Sequence, residues 1–101
     1  MLVVVAATER ELTFVRGAET FVCGVGPVDA AARTARFLTE CSPGAVVHVG
    51  LAGARGVEPP ALVLGSESVY TDVVDPGSSF PRVERVEPDA RLLARARALL
   101  P

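Results

Sequence analysis

Apolar runs alternate with polar, turn-rich segments along the first half of the chain. Residues 2–7 form a continuous apolar run rich in valine, which predicts a buried strand. Shorter apolar runs at residues 20–23 and 45–49 predict a second and a third strand.

Helix signals separate these three strands. Thr8 and Glu11 have the spacing of a capping box, which predicts a short helix that extends to about residue 15 and ends at Gly17. Pro27 is suited to the first position of a second helix, and the Pro-Gly pair at 43–44 ends it. The apolar stripe predicted to face the core of this helix consists of Val28, Ala31, Ala32, Ala35 and Leu38.

The second half of the chain is less regular. Residues 62–74 favour extended structure with a bend at Gly65, and residues 75–81 are polar and rich in turn formers. The Pro-Asp pair at 88–89 opens a last amphipathic helix, which combines leucines with several arginines.

The order of strands and helices predicts an α/β fold with a largely parallel sheet and helices on its faces. In such sheets ligands bind beyond the carboxyl ends of the strands. Three turns follow those ends, at residues 7–8, 24–26 and 50–53, and we expect them to converge on one site. No internal repeat or linker interrupts the 101 residues, so we expect a single domain over 1–101.

Composition narrows the classes of function. The net charge is −2, all ten basic side chains are arginine, and they form no basic patch, which argues against nucleic-acid binding. The first apolar run is too short for a signal segment or a membrane span. Cys23 and Cys41 form no C-x-x-C pair, so we expect free thiols and a cytoplasmic location.

Few residues offer chemistry by pattern alone. Gly24-Val25-Gly26 is similar to part of a dinucleotide fingerprint, but Asp29 occupies its third glycine position. His48, the only histidine, lies inside a predicted strand and is expected to be buried and neutral; no metal cluster is readable. Glu11 could donate a proton to a leaving base, position a water or simply cap the helix, and its spacing from Thr8 favours the cap.

Three segments, taken in order, resemble the nucleoside phosphorylase/nucleosidase superfamily. They are Ala-Ala-Thr-Glu-Arg-Glu at 6–11, Cys-Gly-Val-Gly-Pro-Val-Asp-Ala-Ala at 23–31 and Val-Gly-Leu-Ala-Gly at 49–53. Within the superfamily the chain looks most like the futalosine hydrolases of an alternative menaquinone pathway. Gly-Leu-Ala-Gly-Ala at 50–54, Ser-Glu-Ser-Val-Tyr-Thr-Asp at 66–72 and the short link between Arg16 and Cys23 favour that family over its sister, the methylthioadenosine/adenosylhomocysteine nucleosidases.

The resemblance implies a three-layer α/β/α phosphorylase/hydrolase-like fold and a nucleoside substrate. It implies that Glu11 helps to hold the attacking water and that Thr8 and Val25 lie near the sugar. The backbone of Leu51, Ala52 and Gly53 would line the nucleoside pocket, where small residues let a flat base or sugar lie close. Phosphorylases of the superfamily carry an arginine where this chain has His48, so hydrolysis is favoured over phosphorolysis.

Members of the superfamily are about twice as long, and their second half supplies the base-stacking aromatic residue, the ribose contacts and the aspartate that protonates the base. We therefore expect the chain to correspond to the N-terminal half of the fold, truncated after it. The resemblance implies hydrolysis of the N-glycosidic bond of futalosine with release of hypoxanthine, without a metal or organic cofactor.

Two other functions stay open. The chain could be a truncated, non-catalytic relative that binds nucleosides or only self-associates, or it could be a methylthioadenosine/adenosylhomocysteine nucleosidase. In each case an incomplete fold leaves apolar surface bare, so we expect a homodimer or a higher homo-oligomer.

Overall fold

A computed structural model of the chain describes residues 1–71, 76, 77, 79 and 85–100. These residues fall into two units, Met1–Arg55 and Gly56–Pro101, and each unit is described by itself below. All of the site residues expected from the sequence lie in the first unit.

The first unit is built on a three-stranded parallel sheet. Strands β1 (Leu2–Ala6), β2 (Glu19–Val22) and β3 (Ala45–His48) are ordered β2-β1-β3, and β1 pairs in parallel with both neighbours. The three predicted strands are therefore confirmed to within a residue or two at each end. The prediction of an α/β fold with a parallel sheet is confirmed with them.

The core of this unit is the central strand. It supplies four of the five buried apolar residues in the described part of the chain, namely Val3, Val4, Val5 and Ala6. The fifth, Cys23, directly follows β2. A strand that is paired on both edges and apolar on both faces needs no water for its backbone or its side chains. The unbroken valine run of β1 is thus explained by its position in the middle of the sheet.

Helix α1 (Pro27–Cys41) connects β2 to β3. It begins after Gly26, whose φ of 92° lies in the range that favours glycine. Pro27 takes the first helical position, as predicted. Phe37 of the helix stacks on Phe21 of β2, with ring centroids 4.3 Å apart and ring planes 17° from parallel. This aromatic contact holds α1 against the face of the sheet that carries Phe21.

The prediction of which side of α1 faces the core is wrong. The least exposed positions on the described helix include Ala30, Thr34 and Phe37, whereas Val28 is 79% exposed and Leu38 is 42% exposed. The Phe21–Phe37 stack fixes the rotation of the helix, and it turns the longer apolar stripe away from the sheet.

The short helix after Thr8 is also smaller than predicted, since only a single 3-10 turn forms at Arg10–Leu12.

The second unit contains a short hairpin and a helix. Strands β4 (Ser68–Val69) and β5 (Arg85–Val86) pair antiparallel, and the Arg85 guanidinium contacts both carboxylate oxygens of Glu67 at 2.9 and 3.0 Å. The predicted extended segment is therefore strand only at β4, and its residues 72–74 lie outside the described ranges. Helix α2 (Ala90–Leu99) confirms the predicted last helix.

Asp89 begins α2 as its N-cap. One oxygen of its side chain accepts hydrogen bonds from the backbone N–H groups of Arg91 and Leu92 at 2.9 and 3.0 Å, which satisfies donors that the helix itself leaves unpaired.

Neither α2 nor any other helix of the described residues has the length and apolar character needed to cross a membrane. Cys23 and Cys41 are both free thiols, the first buried and the second exposed.

We predict that Val3→Ala lowers the free energy of unfolding by about 2 to 3 kcal/mol, because two buried carbons are removed from a strand with no exposed surface at this position. Urea denaturation monitored by circular dichroism measures this change. Val63→Ala serves as the control, since Val63 is 67% exposed and should change stability by less than about 0.5 kcal/mol. Equal losses for the two variants would contradict the assignment of β1 as the core.

Candidate active site

Three chain segments leave the sheet at the same end, where the carboxyl ends of its strands lie. They follow the carboxyl ends of β1, β2 and β3, at residues 7–8, 23–26 and 49–53, because all three strands run in parallel. The predicted convergence of the three turns at one edge thus follows from the topology. Ligands of open α/β sheets bind at this edge.

Glu11 and Thr8 are joined by reciprocal hydrogen bonds at the end of β1. The Thr8 backbone N–H and the Thr8 hydroxyl both donate to Glu11 Oε2, at 3.1 and 2.8 Å. The Glu11 backbone N–H donates in turn to Thr8 Oγ1 at 3.4 Å. This is the capping-box arrangement that the spacing of the two residues predicts.

The other oxygen of the same carboxylate reaches the third turn. The backbone N–H of Leu51 donates to Glu11 Oε1 at 3.0 Å, across 40 residues of sequence. Glu11 therefore does more than cap a helical turn, because its two oxygens tie the segment after β1 to the segment after β3. The structure thus brings together Thr8, Glu11 and Leu51, three of the residues expected at the site.

These hydrogen bonds set the charge of Glu11. The Leu51 N–H is the largest cause that lowers the pKa of the Glu11 carboxyl below its ordinary value, and the Thr8 hydroxyl is the next. Partial burial raises the pKa, and the Thr8 N–H and the nearby His48 lower it further. A carboxyl whose pKa is lowered is ionised at neutral pH, so Glu11 is suited to hold a water or to stabilise a cation and is unsuited to donate a proton.

The backbone at 51–53 lies open beside Glu11. Leu51 is 91% exposed, and Ala52 and Gly53 are exposed as well. The exposed Val25 follows β2 at the same edge of the sheet. Within the described residues, no hydrogen bond joins Val25, Ala52 or Gly53 to the Thr8–Glu11–Leu51 cluster.

The turn after β2 is shaped by its contact with α1. A Cβ at Gly24 would lie 3.1 Å from Asp29 Cβ, and the φ of +86° at Gly24 also favours glycine. Asp29 stands in the first turn of α1, where its carboxylate opposes the binding of a pyrophosphate. These two features agree with the sequence-based argument against a dinucleotide site.

His48 and Gly50 differ from what the sequence indicates. His48 is exposed, and its ring makes no hydrogen bond within the described part of the chain, so the prediction of a buried ring is wrong. The neighbouring Val46 and Val47 are exposed as well, so β3 lacks, among the described residues, the cover that buries the side chains of β1. Gly50, expected only as a turn residue, lies against the Glu11 carboxylate. No sequence signal marks such a contact, since it depends on where a side chain 39 positions earlier is held.

The described residues contain no group of three or more His, Cys, Asp or Glu side chains arranged to hold a metal ion. The assembled groups at the sheet edge are instead one ionised carboxylate, one hydroxyl and open backbone. This combination can orient a water molecule and stabilise positive charge on a bound ligand.

Comparison with known proteins gives the same class. A family model described as the phosphorylase superfamily matches residues 5–100, which is nearly the whole chain. The chain therefore belongs to the phosphorylase superfamily. Neither the curated proteins nor the solved structures gave a significant match. Membership supports a nucleoside-processing function in the broad sense.

We predict that Glu11 stabilises the fold in a pH-dependent way. Because its pKa is lowered in the folded state, its contribution is complete above the ordinary carboxyl pKa and is lost as the pH falls through the lowered value. Urea midpoints of the wild type and of Glu11→Gln, measured between neutral and strongly acidic pH, should differ at neutral pH and converge in acid. A difference that stays constant across this range would contradict the assigned charge.

Proposed function

We propose that this chain is a nucleosidase of the phosphorylase superfamily and that it hydrolyses the N-glycosidic bond of futalosine, with release of hypoxanthine. The observation that carries the proposal is the hydrogen bond from the Leu51 N–H to the Glu11 carboxylate. It holds a negative charge beside open backbone at the edge of the sheet where ligands of such folds bind.

Glu11 acts on water in the proposed reaction. Its carboxylate orients a water molecule whose oxygen bonds to the anomeric carbon of the sugar, while the bond from that carbon to the base nitrogen breaks and its electron pair leaves with the base. The proton that the water loses passes through solvent to the base nitrogen, so the products are the free sugar hydroxyl and the neutral base. The sugar passes through an oxocarbenium-like state with positive charge, which a nearby ionised carboxylate stabilises. The proposal assigns no residue of this chain to the protonation of the leaving base, and it requires no metal or organic cofactor.

The remaining site residues have binding roles in this proposal. Thr8 and Val25 lie near the sugar, and the backbone of Leu51, Ala52 and Gly53 receives the nucleoside. The exposure of all three residues supports this role, and the Glu11 carboxylate bound by the Leu51 N–H lies beside them. Thr8 also has a positioning role, because its hydroxyl donates the 2.8 Å hydrogen bond that orients the Glu11 carboxylate.

Charge favours hydrolysis over phosphorolysis. A phosphate ion would need free backbone N–H groups or arginine side chains at the site. The Leu51 N–H is already bonded to Glu11, and the position that precedes the Val-Gly turn is His48. An ionised carboxylate at this place also repels a phosphate dianion, so water is the better matched nucleophile.

Base release is the direct test of this proposal. The purified chain is offered futalosine, methylthioadenosine and inosine separately, each with and without phosphate, and the free base is measured by chromatography. We expect hypoxanthine from futalosine at a rate that does not depend on phosphate. Glu11→Ala should reduce the rate by about 10²-fold or more, which is the lower end of what such a group contributes.

Glu9→Ala is the matched control, because Glu9 is an exposed carboxylate of the same turn whose side chain makes no hydrogen bond among the described residues. It should retain the wild-type rate. Release of adenine from methylthioadenosine in place of hypoxanthine would move the assignment to the sister nucleosidases. Binding of a nucleoside without base release would identify a non-catalytic relative.

We also propose that the protein acts as a homodimer or a higher homo-oligomer. Large apolar side chains are exposed on α1 and β3, namely Val28, Leu38, Val46 and Val47. Apolar surface of this kind favours association. Light scattering across micromolar concentrations should give at least twice the monomer mass, and Val28→Asp should shift the distribution toward monomer. A monomer at every concentration would contradict this proposal.

A further inference from the structure

The turn after β3 contains a close contact that the proposed reaction does not by itself explain. A Cβ added at Gly50 would lie 3.1 Å from Glu11 Oε1 and 3.7 Å from Glu11 Cδ. The first of these distances is tighter than an ordinary van der Waals contact between carbon and oxygen, so any other residue at position 50 pushes on the carboxylate.

The carboxylate has no free direction in which to retreat. Its Oε1 accepts from the N–H of Leu51, the residue that follows Gly50, at 3.0 Å. Its Oε2 is held by both Thr8 donors on the other side. A shift of a few tenths of an ångström away from position 50 therefore lengthens at least one of these hydrogen bonds.

Backbone conformation does not account for glycine here. The φ of Gly50 lies outside the positive range, unlike that of Gly24 or Gly26, so an alanine at position 50 is not strained by its own backbone. Gly53 in the same turn also lacks a positive φ, and its added Cβ would meet no atom within 4 Å. Neither glycine therefore needs its special backbone freedom, and the two differ in their distance from Glu11.

We propose that Gly50 is a positioning residue: the absence of a side chain there allows the Glu11 carboxylate to approach the third turn and bind the Leu51 N–H. The inference rests on the proposed function for its catalytic meaning, because it concerns the group that orients the water. The hydrogen bond itself can be tested without any activity.

Nuclear magnetic resonance of the labelled full chain provides that test. In the wild type, the Leu51 amide resonance should shift with pH as Glu11 titrates, with a midpoint below the ordinary carboxyl pKa. In Gly50→Ala the pH-dependent shift of the Leu51 amide should shrink, and the pKa of Glu11 should rise toward its ordinary value. Gly53→Ala should leave both quantities as in the wild type, and circular dichroism verifies that each variant is folded.

A double-mutant cycle gives a second, independent measurement. At neutral pH the effect of Gly50→Ala on the urea midpoint should change when Glu11 is replaced by alanine, because the contact no longer exists. The same cycle with Gly53→Ala should show no coupling. An unchanged Leu51 titration in Gly50→Ala together with zero coupling overturns the inference, and so do equal effects of the two glycine variants.

Kinetics separate this inference from the proposed function. If the chain releases hypoxanthine, Gly50→Ala should lower kcat by about tenfold, since a displacement of about 1 Å can cost 10²-fold and this one is smaller. The acid limb of its pH profile should move to higher pH, and KM should change less than kcat. If no base is released, the proposed function fails while the amide titration still decides the role of Gly50.

Discussion

The double pairing of β1 is the constraint on which the rest of the first unit depends. Because its four buried residues are shielded from water, their backbone groups need hydrogen-bonding strands on both sides, and β2 and β3 supply them in parallel. Because the pairing is parallel, the segments that follow the three strands all begin at the carboxyl end of the sheet. The candidate site is thus a consequence of how the most apolar stretch of the chain is buried.

At the carboxyl ends of the strands, the Glu11 carboxylate alone holds two turns in place. Glu11 closes the turn after β1 through Thr8 and fixes the turn after β3 through the Leu51 N–H. The same hydrogen bonds lower the pKa of the Glu11 carboxyl, so its structural role and the chemical role proposed for it have one physical origin. A carboxylate held in this way has a defined direction before any ligand arrives, which is the condition for efficient electrostatic stabilisation.

Much of the fold could be predicted from the sequence, because local signals and tertiary context agree there. The valine run of β1, the Gly26-Pro27 start of α1 and the Asp89 cap of α2 each have a local physical cause. The side of α1 that faces the sheet could not be predicted in this way. The helix carries more than one apolar arc, and a single long-range contact, the stacking of Phe37 on Phe21, decides which arc faces the sheet.

The site follows the same division. The link between Thr8 and Glu11 is local and is visible as a spacing of three residues. The Leu51 N–H and the space left by Gly50 carry no sequence signal, because a backbone donor has no residue type and a missing side chain is read first as a turn. The exposure of His48 has no sequence signal for a related reason, since a strand pattern does not reveal that β3 lacks the cover that β1 has among the described residues.

In the proposed reaction Glu11 directs water, and no other nucleophile, to the sugar. Turnover of futalosine in ¹⁸O-labelled water, with phosphate present and with mass spectrometry of the sugar product, tests it most directly. We expect one labelled oxygen in the released sugar and no sugar phosphate. An unlabelled sugar phosphate, or the absence of any labelled product, would contradict it.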